Sequence, residues 1–154
     1  MNTPRYKRHY RVDRVDWSRE HETLRDIRLR VFVLEQGVPE DLEWDGQDER
    51  AVHLLARDNT GRPVGTARLL PTGQIGRMAV LPDWRRRGIG MALVKGLLAI
   101  AAAEGYPHPF LNAQASALPF YRRAGFVAVG AEFHEAGIRH RKMMLGDLSD
   151  AGRD

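Results

Sequence analysis

Three arginines, Arg85, Arg86 and Arg87, run directly into Gly88-Ile89-Gly90 and then a long apolar stretch to Leu98. Like charges so placed repel, and glycines cost backbone entropy on folding, so a bound anion is expected to compensate. If a strand ends here and a helix begins, the first helical amides lack intrahelical partners and point outward. The helix dipole adds partial positive charge at the same place. Glycines keep those amides open to a phosphate, and the arginines add fixed charge with bidentate reach. The pattern predicts a pyrophosphate cradle running from Arg85 through Arg86, Arg87, Gly88, Ile89 and Gly90 to Met91.

The elements needed to hold such a cradle are legible. At 154 residues, 43% hydrophobic and 29% charged, the chain reads as one globular domain, 1–154, with a loose tail over 146–154. It contains no cysteine, which excludes disulfides and thiolate chemistry, and no metal is expected. No stretch approaches the ~20 apolar residues of a membrane helix. The first residues, MNTPRYKRHYRV, lack the apolar core of a signal peptide, so a cytoplasmic protein with no membrane partner is expected. The formal charge of +4 would suit nucleic acid. However, lysine occurs only at Lys7, Lys95 and Lys142, and the arginines are interleaved with acids, so no nucleic-acid partner is expected.

Residues 6–12 suit a first strand. A helix capped by Asp16 or Ser18 then places Leu24, Ile27, Val31 and Leu34 on one face, and Gly37 and Pro39 stop it. AVHLLARD (51–58) and PVGTARLL (63–70) form a hairpin, and QIGRMAVL (74–81) returns as a third strand of that group. The helix after Gly88 is apolar on much of its circumference and ends at Gly105. FLNAQ (110–114) is a short buried strand, and Ser116 is expected to cap a helix to Ala124. FVAVG (126–130) and RHRKMML (139–145) close the chain as two strands. This order predicts a mixed α/β sheet with helices on its faces.

The cradle fits neither common phosphate loop. G-x-x-x-x-G-K-[S/T] is absent, and the third glycine of G-x-G-x-x-G is replaced by Leu93. Instead, Arg85-x-x-Gly88-x-Gly90 resembles the acyl-CoA loop of the GNAT superfamily of N-acetyltransferases. MAV before LPDWRRRGIG resembles that family's fourth strand, and Phe120-Tyr121-Arg122-Arg123-Ala124-Gly125-Phe126 resembles its later Phe-Tyr-x-x-x-Gly-Phe helix. RVFVLEQGVPEDLEWDGQDERAVHLLA (30–56) and FHEAGIRHRKMM (133–144) are similar to the ElaA-like branch, with Gly137-Ile138-Arg139-His140 where Gly-Ile-Pro-His is usual. The resemblance spans most of residues 6–145.

It implies a GNAT-type fold, a mixed sheet of six to seven strands with helices on both faces, and an acetyl-CoA co-substrate. Met78, Ala79 and Val80 would bond the pantetheine, with one of their amides polarising the thioester carbonyl. Tyr121 would protonate the leaving thiolate. Gln114 stands where the family often has asparagine, and Asn112 is a second amide on that strand. Attack requires a neutral amine, so a base is expected. Glu35 is the first choice, followed by His140 and Glu135, with His53 and Glu43 behind them. The activity implied is N-acetyl transfer to a primary amine by direct transfer in a ternary complex. The alternative is a catalytically weak CoA-binding regulatory module. Members often dimerise, so a homodimer belongs to the implied picture, although no residue identifies an interface. The acidic segment 35–50 suggests negative charge at the acceptor end.

Overall fold

Two runs of residues buried on both faces build the expected hairpin as β2 (Val52–Asp58) and β3 (Pro63–Leu69). Its turn is pinned by Asp58, whose Oδ1 accepts from the backbone amides of Thr60 at 2.8 Å and Arg62 at 2.9 Å. These assignments come from a computed structural model, which describes residues 9–146. The first strand, β1, covers Tyr10–Val15 rather than 6–12. Pairing with β2 in the register Tyr10–Asp58 to Val15–His53 sets those bounds. Residues 6–8 of the expected strand, and all of the expected tail beyond Gly146, lie outside the described residues.

After Asp16, which makes no side-chain cap, α1 spans Trp17–Arg28 and passes into a π-helical segment, Leu29–Glu35. The wider i→i+5 turns rotate later positions off the buried stripe. Leu24, Ile27 and Val31 are buried as expected, whereas Leu34 is 72% exposed. A short helix, α2 (Glu40–Glu43), and a 3₁₀ turn, Asp48–Arg50, lead into β2. β4 covers Ile75–Val80, and α3 covers Ile89–Ala103. β5 forms over Phe110–Gln114. Ser116 does not cap the next helix: a 3₁₀ turn, Ala115–Ala117, intervenes, and α4 runs Leu118–Arg123. Pro119 is tolerated in its first turn because no helical hydrogen bond is needed from that position. β6 (Phe126–Glu135) and β7 (Ile138–Leu145) extend beyond the expected strands and meet at Ala136-Gly137, both with positive φ.

The seven strands divide into two sheets, β1-β2-β3-β4 and β5-β7-β6, each antiparallel throughout. The mixed character resides in one parallel bridge, Gln74–Phe110, joining the start of β4 to the start of β5. Beyond it the two strands have no pairing with each other. Successive residues of β2 feed opposite faces. Leu54 packs with Leu93 and Leu97 of α3, while Leu55 packs with Leu24 and Ile27 of α1. The expected helices on both faces follow from that alternation.

Candidate active site

Where β4 and β5 part, a cleft of about 880 Å³ opens between the sheets. Its β4 wall is an edge strand, so one row of backbone amides and carbonyls beyond the bridge is left without a strand partner. Met78, Ala79 and Val80 lie on this wall. Buried Ala79 anchors the strand against the α1 core, which leaves the backbone of the edge as its chemical face. Three non-glycine residues among those described have positive φ, Arg77, Arg86 and Ala136, and all three line the cleft. Left-handed backbone at such residues is strained, and strain of this kind gathers at functional sites.

The loop expected to cradle pyrophosphate stands at one end. Gly88 is the N-cap of α3 with φ 88°, and Arg86 has φ 63°. Exposed Gly88 thus precedes a helix whose first turn points its free amides outward, while buried Ile89 ties that turn to the core. A Cβ on Gly90 would come within 3.2 Å of the Phe120 ring, so a side chain there would press on α4. An acyl-CoA pyrophosphate fits this open, anchored helix start.

The three arginines are used differently. Arg85 donates through Nε to the Val80 carbonyl at 2.8 Å, and through Nη1 and Nη2 to Glu35 at 2.7 and 2.6 Å. Arg87 lies 4.7 Å over the Trp84 ring. Arg86 is exposed and lines the cleft. Glu35 is therefore one half of a bidentate ion pair, and the hydrogen bonds from Arg85 hold its carboxyl below the usual carboxylate range. A neighbouring bond, from Gln114 Nε2 to Gln36 Oε1 at 2.9 Å, joins the end of β5 to the same segment. Asn112 shares the half-buried face of β5 with Gln114, and both reach the cleft.

Tyr121 projects from α4 with its ring edge-on to Phe120 and Phe126. Burial pushes its phenol far above the ordinary range, so the hydroxyl keeps its proton. His140 is buried on β7, stacks on Phe133 at 5.7 Å, and contacts the Ile138 carbonyl through Nδ1 at 2.7 Å. A carbonyl only accepts, so Nδ1 carries the proton and Nε2 keeps the lone pair of the neutral ring. Glu135 borders the cleft nearby, at the β6–β7 turn.

The remaining acids belong to a buried ion network that the sequence reading did not foresee. Arg28 binds Glu43 at 2.8 Å and Asp48 at 2.7 Å, and Arg68 binds Asp45 at 2.8 Å and Asp48 at 3.1 Å. Arg77 lies 3.0 Å from Glu43 and 3.2 Å from Asp45. Burial raises the Glu43 carboxyl despite three arginines, whereas Arg68 and Arg77, acting against burial, hold Asp45 at about 2. His53 contacts the Asp48 carbonyl at 2.8 Å through Nε2 and stacks on Trp17. Burial lowers its pKa, which makes it a neutral packing residue outside the cleft. Of the acids in segment 35–50, Glu35, Glu43, Asp45 and Asp48 are thus paired with arginines, whereas Glu40, Asp41 and Glu49 form no ion pair among the described residues. One signal was available: Arg28 lies on the same helical stripe as Leu24, Ile27 and Val31, where a cation must find a buried partner.

Comparison with known proteins matches residues 18–146 to the family model described as an acetyltransferase (GNAT) domain. The chain is 37% identical over 134 residues to YjcF of Bacillus subtilis, described as an N-acetyltransferase, covering 82% of this chain and 95% of that one. The crystal structure of Escherichia coli ElaA superposes with a TM-score of 0.78 at 28% identity, over 88% of this chain and 99% of ElaA. An acyl-CoA N-acyltransferase from Pseudomonas aeruginosa superposes with a TM-score of 0.77 at 30% identity, over 89% and 98%.

Proposed function

The chain belongs to the GNAT acetyltransferase family, and on that premise we propose that it is an acetyl-CoA-dependent N-acetyltransferase acting on a primary amine. The observation that carries this reading is one cleft bordered by an unpaired β4 edge, an open α3 N-terminus and a half-buried, protonated Tyr121. In this reading the amides from Gly88 to Met91 hold the pyrophosphate and Arg86 adds free charge. The Met78–Val80 edge bonds the pantetheine, Asn112 and Gln114 face it from β5, and a β4 amide steadies the thioester oxygen as negative charge develops there.

Transfer is direct. The amine nitrogen forms a bond to the acetyl carbon as the carbon–sulfur bond breaks. His140 Nε2 takes the proton lost by the amine, and Tyr121 donates one to the departing thiolate. His140 replaces Glu35 as the leading base because Glu35 is committed to Arg85, and a carboxylate held that low accepts a proton poorly near neutral pH. Glu35 instead fixes Arg85 beside β4.

A CoA-release screen over an amine library, paired with calorimetry on Gly90→Asp, tests the reading. A folded Gly90→Asp protein that binds acetyl-CoA as the parent does sinks the cradle. Tight acetyl-CoA binding with no CoA released by any amine points instead to a regulatory module.

A further inference from the structure

The cleft has two chemically distinct ends. The end beside α3 carries Arg85, Arg86 and Arg123. At the other, the π-helical segment, the loop after it, α2 and β7 contribute Phe32, Val38, Leu42 and Ile138. Of the ionised side chains that line this end, all but one have their charge cancelled. Glu43 and Arg77 line the wall, but both sit in the network where Arg28, Arg68 and Arg77 face Glu43, Asp45 and Asp48, three charges of each sign. Arg77 Nη2 is also occupied by the Leu42 and Glu43 carbonyls, at 3.4 and 3.0 Å. The exception is Glu135, which forms no ion pair among the described residues and borders the cleft together with His140.

Resting on the transferase reading above, we infer that the acceptor is a small primary monoamine on an apolar body, its ammonium met by Glu135 and its body by Phe32, Val38, Leu42 and Ile138. A polycation would find one uncompensated carboxylate on the cleft lining at this end, with Glu40 and Asp41 of α2 outside that lining, and arginines at the other end. An amino acid's carboxylate would meet a guanidinium already neutralised by buried acids. An apolar amine matches both features: one positive charge for one free carboxylate, and a body that leaves water for an apolar wall. Glu135 attracts the ammonium, which loses its first proton to water; the neutral amine attacks, His140 Nε2 takes the second proton as the amide forms, and Tyr121 protonates the departing thiolate.

The test measures kcat/KM by CoA release with phenethylamine, spermidine, kanamycin and L-phenylalanine as acceptors, alongside the acetyl-CoA Kd by calorimetry. Phenethylamine is expected to exceed each of the others at least tenfold. Glu135→Gln should raise its KM at least tenfold while leaving the acetyl-CoA Kd in place. Leu42→Glu, at a 55% exposed position, should shift preference toward spermidine. Spermidine, kanamycin or phenylalanine equalling phenethylamine overturns the inference while leaving the transferase intact. Intact acetyl-CoA binding with no turnover of any acceptor overturns both this and the catalytic reading. Loss of acetyl-CoA binding in the unaltered protein overturns the cradle as well.

Discussion

In the proposed mechanism, His140 and Tyr121 divide the proton transfers because their surroundings differ. The Ile138 carbonyl selects one ring tautomer of His140, and an apolar sleeve keeps Tyr121 protonated. His140→Gln should lower kcat by roughly 10²-fold, within the usual range for losing a positioned base, with acetyl-CoA affinity unchanged and partial recovery on adding free imidazole. Tyr121→Phe should likewise lower turnover more than affinity in steady-state and calorimetric measurements. Glu35→Gln separates the two roles a carboxylate could play here. As Arg85's partner its loss should leave kcat within about tenfold, since exposed ion pairs contribute little; a loss as large as that at His140 would restore Glu35 as the base. Tyr121 was legible because its spacing from Gly125 and Phe126 matches a known helix. The partner of Arg85 was not, because residues fifty positions apart meet only through the fold.

Among the elements, the junction of the two sheets depends on Gly73. Its φ is 92°, its carbonyl accepts from Phe110 at 3.2 Å, and a Cβ there would lie 2.7 Å from the Pro107 carbonyl oxygen. That contact is with backbone, so relief requires the sheets to move apart. Gly73→Ala should cost at least about 2 kcal/mol, combining a left-handed alanine with the clash, and lower the thermal midpoint in calorimetry. Strand existence and order were readable from alternation and turn residues, and β5 was read to its bounds. The split into two sheets was not, since nothing in the one-dimensional pattern distinguishes neighbouring strands that pair from those that part. The π-helical segment was similarly hidden: its composition suits an ordinary helix, and only the exposed Leu34 betrays the change of pitch.

At the scale of the whole molecule, the Arg28–Glu43–Asp48–Arg68 network ties α1, α2 and the β2–β3 hairpin together. Breaking one member strands a buried charge, so Arg28→Ala should destabilise by roughly 3–5 kcal/mol in urea unfolding. The same network sets an acid limit. Asp45 titrates from an ordinary value of 3.8 to about 2 in the folded chain, so the folded state binds fewer protons than the unfolded one between these values. Its contribution, reduced by solvent screening at this exposed position, is present above about pH 4 and disappears as pH falls toward 2. Asp45→Asn should flatten that part of the stability profile, measured as urea midpoints at successive pH values. Composition foretold a soluble-sized core but not this network, because a charge-rich loop reads the same whether it faces water or arginine.

A V of two sheets fastened by one rung at its apex has no further strand-to-strand hydrogen bonds setting its aperture. Whatever extended chain slides along β4 supplies the missing rungs, so cargo acts as mortar between half-molecules. Amides of Met78 and Val80, on either side of Ala79 whose amide faces β3, should then be among the quickest to exchange deuterium in the empty protein, and slow the most once it is loaded.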